Sequence, residues 1–142
     1  MAHVEASLTI NRPIAEVFAF VSDFSKALQY QPGLIEAGLT SSGPAGVGST
    51  FKWISSFMGQ KMDSSGQITV WDPPNRYEYK LTAGPIPGSG GVAFKAEGNG
   101  TVVTQFGDFE PGGFFKIAEG LLMKQAEGQL QDGLKKLKQV LE

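Results

Sequence analysis

The chain has no cysteine, one histidine and few charges for its size. Each shortage removes a class of chemistry. Without cysteine there is no disulfide, no thiolate metal site and no cysteine nucleophile. The one histidine, His3, falls on the outer face of the first predicted strand beside Glu5. A Ser-His-Asp triad and a histidine metal site are therefore both unsupported, and we expect no cofactor and no metal.

Charged residues make up 18% of the chain, against a typical ~25%. The net charge is −2, and the 12 basic residues are scattered apart from Lys135, Lys136 and Lys138. A phosphate backbone calls for a basic face, so nucleic acid is not an expected partner. No apolar run approaches the ~18 residues of a transmembrane segment. Residues 1–5 lack the basic and then apolar start of a signal peptide. The expected location is cytoplasmic.

In excess are glycine, with 19 residues, and phenylalanine, with 10. That pairing suits a strongly bent sheet around an apolar interior. The 142 residues fit one domain.

Val4, Ala6, Leu8 and Ile10 alternate with Glu5, Ser7 and Thr9, the mark of a half-buried strand. Asn11-Arg12-Pro13 then starts a helix with Asn11 as its N-cap. Ile14, Val17, Phe18 and Val21 follow at helical spacing, and Ser22-Asp23 begins a second short helix. The two are expected over 13–21 and 24–30.

From residue 33 to about 110 the period is two, broken by turn clusters at 43–48, 72–75 and 98–100. Phe51, Trp53, Ser55 and Phe57 share one strand face; Met62, Ser64, Gly66, Ile68 and Val70 share the next. Tyr77, Tyr79 and Leu81 alternate with charged residues. A loop over 83–91 precedes two strands, near 92–97 and 101–109, joined by Gly98-Asn99-Gly100. After Pro111-Gly112-Gly113 the period returns to 3.6, with Phe115, Ala118, Leu122, Ala126, Leu130, Leu137 and Leu141 as one stripe. The order β-α-α-β6-α gives an α+β chain: a curved antiparallel sheet of about seven strands, two short helices, and a long C-terminal helix across the concave side.

Four segments in this order resemble the helix-grip superfamily of START-like (SRPBCC) proteins, polyketide cyclase/dehydrases and plant pollen allergens. They are Ile10-Asn11-Arg12-Pro13-Ile14-Ala15-Glu16-Val17-Phe18, the turn at 43–48 running into Phe51, Val70-Trp71-Asp72-Pro73-Pro74-Asn75-Arg76-Tyr77, and Asn99-Gly100-Thr101-Val102-Val103-Thr104. The likeness spans essentially the whole chain. It implies a START-like/polyketide cyclase-like ligand-binding domain over residues 1–142, with an internal cavity for a hydrophobic small molecule. One activity does not follow from it. Many bacterial relatives carry a tryptophan in the second short helix, where this chain has only Tyr30, so the subfamily stays unassigned.

Phe51, Trp53, Phe57, Tyr77, Tyr79, Phe94 and Phe106 occupy alternating positions of successive strands. With Phe115 and Leu122 of the helix stripe they are the candidate ligand-binding residues, although a filled core would read the same way. Trp53, Tyr77 and Tyr79 suit a cavity wall best, because each carries a polar handle that needs a partner when buried. Ser55 and Ser64 would add sparse polar contacts. Asp108, in register with Val102, Thr104 and Phe106, is the candidate acid or base on a largely apolar face. Three readings follow. The first is a binding protein for a lipid, polyketide-like or isoprenoid ligand. The second is a cyclase/aromatase-like enzyme using Tyr77, Tyr79 or Asp108. The third is an accessory protein with a protein partner, resembling the accessory subunit of carbon monoxide dehydrogenase that shares this fold.

Overall fold

The computed structural model describes residues 2–57, 59–110 and 119–142. Strand β1 (Ala2–Ile10) leads to helix α1 (Ile14–Val21) and a 3-10 helix (Phe24–Gln29). Then come β2 (Leu34–Leu39), β3 (Thr50–Phe57), β4 (Gln60–Asp72), β5 (Arg76–Ala83), β6 (Gly88–Glu97) and β7 (Gly100–Phe109), and helix α2 (Glu119–Leu141). The strands form one antiparallel sheet in the order β1-β7-β6-β5-β4-β3-β2. β2 to β7 make the expected meander, and β1 closes on β7. This is the helix-grip arrangement, a curled sheet around a C-terminal helix.

Local signals differ at three points. Pro13, not Asn11, is the N-cap of α1, with no side-chain cap. The Asn11 N–H instead donates to the Glu142 carboxylate at 2.9 Å. The 83–91 loop is shorter than its glycines suggest, because Gly88 to Gly91 already pair in β6. In β4 a bulge at Thr69 separates the pairs Ile68–Tyr79 and Val70–Glu78. One extra residue reverses the faces beyond it. Trp71, opposite Tyr77, therefore turns inward where alternation placed Val70, and its ring meets Phe18 edge-on at 5.4 Å.

β7 corrects a whole strand face. Val4, Ala6, Leu8 and Ile10 of β1 stand opposite Gly107, Gln105, Val103 and Thr101. Directly opposed residues share a face, and that face of β1 carries the buried Val4, Ala6 and Ile10. The odd positions of β7 therefore point inward. Phe106 stands opposite Glu5 and Asp108 opposite His3 on the convex face, contrary to expectation. β7 is apolar on both sides, so its own alternation could not choose; the partner strand chooses.

The core joins Ile10, Val17, Phe18, Phe51, Ile68, Phe94 and Val103 to Leu134 and Leu137 of α2. Leu134, which the stripe expected of this helix passed over, is buried beside Leu137. Phe115 and Ala118 lie outside the described residues, as do the side chains of Phe57 and Leu122. The far end of α2 is tied to β1: Arg12 Nε donates to the Leu141 carbonyl at 2.7 Å, and Lys138 Nζ donates to the Thr9 carbonyl at 3.2 Å. The Asn11 N–H, and then Lys138, hold the Glu142 carboxyl below its ordinary range.

Two helix glycines have opposite roles. Gly133 is buried where α2 crosses residues 30–32, and a Cβ there would meet Gln31 Oε1 at 3.2 Å and Pro32 Cδ at 3.3 Å. Gly128 is exposed, and a Cβ added to it would have nothing within 4 Å. Gly128→Ala is expected to raise stability by about 1 kcal/mol, the helix-interior cost of glycine. Gly133→Ala should return less or lose stability, because its neighbours must shift. Urea denaturation of the two variants checks this.

Candidate ligand-binding cavity

Where the sheet and α2 diverge, two adjoining chambers open, of about 190 and 180 Å³. Each is somewhat larger than the engineered cavity of ~150 Å³ that takes a benzene ring. Trp53 and Ser55 of β3 and Gln129 of α2 border both. The first chamber is backed by Phe24, Ala27 and Tyr30, with Gln31 and Gln105 among its walls. The second is more apolar, bounded by Met62, Leu81, Ile86, Phe109, Met123 and Ala126, with Ser64 as a polar member. Among the described residues, neither lining includes Asp, Glu, Lys, Arg or His.

Strand alternation produces this wall. On β3, Phe51 is fully buried in the core, and Trp53 and Ser55 follow it toward the chambers. Tyr79 stands edge-on to Trp53 at 5.3 Å and to Phe51 at 5.4 Å. Its hydroxyl lies over Gly90, the residue directly opposite on β6. A Cβ at Gly90 would come within 2.7 Å of that oxygen and 2.8 Å of the Phe106 carbonyl, so the tyrosine sits there because position 90 has no side chain. Tyr77 lines the first chamber with its ring, while its hydroxyl donates to the Val21 carbonyl at 3.3 Å.

Burial pushes the Tyr79 phenol up to about 12. It raises Tyr30 and Tyr77 further still, Asp23 adding to the effect at Tyr30. All three are protonated at neutral pH. They act as hydrogen-bonding O–H groups and supply no base.

Of the expected site residues, Trp53, Tyr77 and Tyr79 border a chamber, as do Ser55 and Ser64. Phe51 and Phe94 point inward but are packed into the core behind the chambers. Phe106 is on the convex face. Phe115, and the Phe57 and Leu122 side chains, fall outside what is described. Asp108 is removed from the candidate chemistry: its carboxylate is 43% exposed on the convex face and hydrogen-bonds His3 Nδ1 at 2.8 Å. That bond, and a second to Glu5, raise the His3 pKa. The turn at 43–48 borders neither chamber; its Gly48 N–H donates to the Ile68 carbonyl at 2.9 Å. Of the loop at 83–91, Pro85 and Ile86 border the second chamber.

Sequence reasoning missed Tyr30, Gln31, Gln105 and Gln129. A signal existed for Gln129, a polar residue set between Ala126 and Leu130 within the apolar stripe. Gln105 was hidden by the reversed faces of β7.

Comparison with known proteins agrees with this architecture. TTHA0849 from Thermus thermophilus superposes with a TM-score of 0.85 at 22% identity, over 97% of this chain and 95% of that one. A START superfamily protein from Mycobacterium smegmatis gives 0.80 at 15% identity, over 99% of both chains. Ara h 8.0201 gives 0.70 at 16% identity, over 98% of this chain and 96% of its own. These likenesses establish the SRPBCC helix-grip fold. No curated protein matches the sequence. The family model described as polyketide cyclase / dehydrase and lipid transport matches residues 1–142, and the chain belongs to that family.

Proposed function

We propose that residues 1–142 act as one ligand-binding domain, holding an apolar or aromatic small molecule of lipid, polyketide-like or isoprenoid class between the sheet and α2. The observation that carries this reading is the pair of joined chambers walled by Trp53 and Tyr79 with no charged side chain in their described lining. Apolar pockets with a few placed polar groups are the usual form of small-molecule sites. The family description, which includes lipid transport, supports the same reading.

Titration with a panel of fluorescent apolar probes, followed by the Trp53 emission, tests it. Binding is expected, and Trp53→Ala should weaken it about tenfold through the loss of aromatic contact to both chambers. Native mass spectrometry of freshly purified protein should show a co-purified apolar molecule. A protein that carries nothing and binds no probe would sink the proposal.

A further inference from the structure

Resting on that reading, we propose that the first chamber selects a ligand with an uncharged hydrogen-bonding head, such as a carbonyl, hydroxyl or amide, and rejects the carboxylate of the same shape. The observation is a set of three glutamines brought to one chamber by three separate elements. Gln31 follows the 3-10 helix, and its Oε1 lies against α2 at Gly133. Gln129 sits on α2 one turn before that glycine. Gln105 comes from β7, opposite Ala6 of β1 and Val92 of β6.

Among the described residues, none of these amides has a side-chain hydrogen bond to the protein. An apolar wall would be cheaper to build from leucine, since a desolvated amide without a partner is destabilising. A primary amide both donates and accepts, so it fits a neutral head of either polarity. A carboxylate only accepts, and its charge needs a cation on entering an apolar site. No lysine, arginine or histidine stands in the described lining to supply one. The second chamber, with Met62, Leu81, Ile86 and Met123, suits the apolar remainder of the ligand. The geometry therefore divides the ligand into a neutral head near the glutamines and an apolar tail beyond Trp53.

Three probes of one shape separate these ideas: para-hexylbenzamide, para-hexylbenzoate and hexylbenzene, titrated calorimetrically at pH 7.5. The benzamide should bind at least about tenfold more tightly than either of the others, the scale of about one to two good hydrogen bonds. Gln105→Leu and Gln129→Leu should each weaken the benzamide about fivefold and leave hexylbenzene unchanged, the latter also reporting that the cavity is intact. Gln105→Lys should improve benzoate binding. If wild-type protein binds benzoate as well as benzamide, or hexylbenzene as well as benzamide, the head-group proposal falls while the carrier reading stands. If none of the three binds, both fall. The wild-type comparison decides even where a variant fails to fold.

Discussion

Phe51→Ala is expected to lower the free energy of unfolding by about 3–5 kcal/mol, the range for removing a buried aromatic ring. Phe51 is 0% exposed. Its ring meets Phe24 at 4.7 Å, Trp53 at 4.9 Å and Tyr79 at 5.4 Å. On the sheet side it covers Gly66, the residue directly opposite on β4, where a Cβ would come within 2.5 Å of the ring. The hole left by alanine therefore has no side chain beneath it to move in, and the rings around it are fixed by paired strands. That places the loss toward the upper end of the range. Urea denaturation should show a lower midpoint with an unchanged m value. Trp53→Ala, half-buried at the chambers, should cost less stability and more ligand affinity. A Phe51→Ala protein as stable as wild type would contradict this packing.

Leu137→Ala is expected to cost about 2–5 kcal/mol and to loosen α2 from the sheet. The helix has 23 residues, among them Gly120, Gly128 and Gly133, each costing about 1 kcal/mol relative to alanine in a helix interior. Its helical state therefore depends on docking. Leu134 at 1% exposure and Leu137 at 0% are its most deeply buried side chains among the described residues. They lie in the core beside Ile10, Val17 and Val103. Truncating Leu137 removes the anchor closest to the ties made by Lys138 and Arg12. Far-UV circular dichroism should show helix signal lost at a lower temperature than in wild type. Probe binding should weaken as well, because Met123, Ala126 and Gln129 of the same helix border the chambers. Unchanged stability would mean that α2 is held elsewhere.

Much of this was legible in the residues themselves. The periods of two and of 3.6 gave the element order, because one buried face imposes a repeat on each element. β3 and β5 could be read correctly, since each places charge or hydroxyl groups opposite a run of aromatics; Trp53, Tyr77 and Tyr79 followed from that. The order of motifs was enough to recognise the helix-grip family.

Strand faces were harder to read wherever both sides of a strand are apolar or one residue is added. Phe106 and Asp108 went to the wrong side because β7 offers Val102 and Val103, then Phe106 and Phe109, as equally good inward sets. Pairing with β1 settles that choice, and the pairing spans about a hundred residues of sequence. The bulge at Thr69 turned Trp71 inward for an equally non-local reason, the register of β5. The chain alone thus determined a cysteine-free, sparsely charged, aromatic-rich sheet and helix, because those properties depend on residue type and local period. Only the tertiary structure decided that Phe51 and Phe94 fill the core while Trp53 and Tyr79 border open space. It alone brought Gln31, Gln105 and Gln129 to one chamber, because volume and convergence arise from how the sheet curls around the helix.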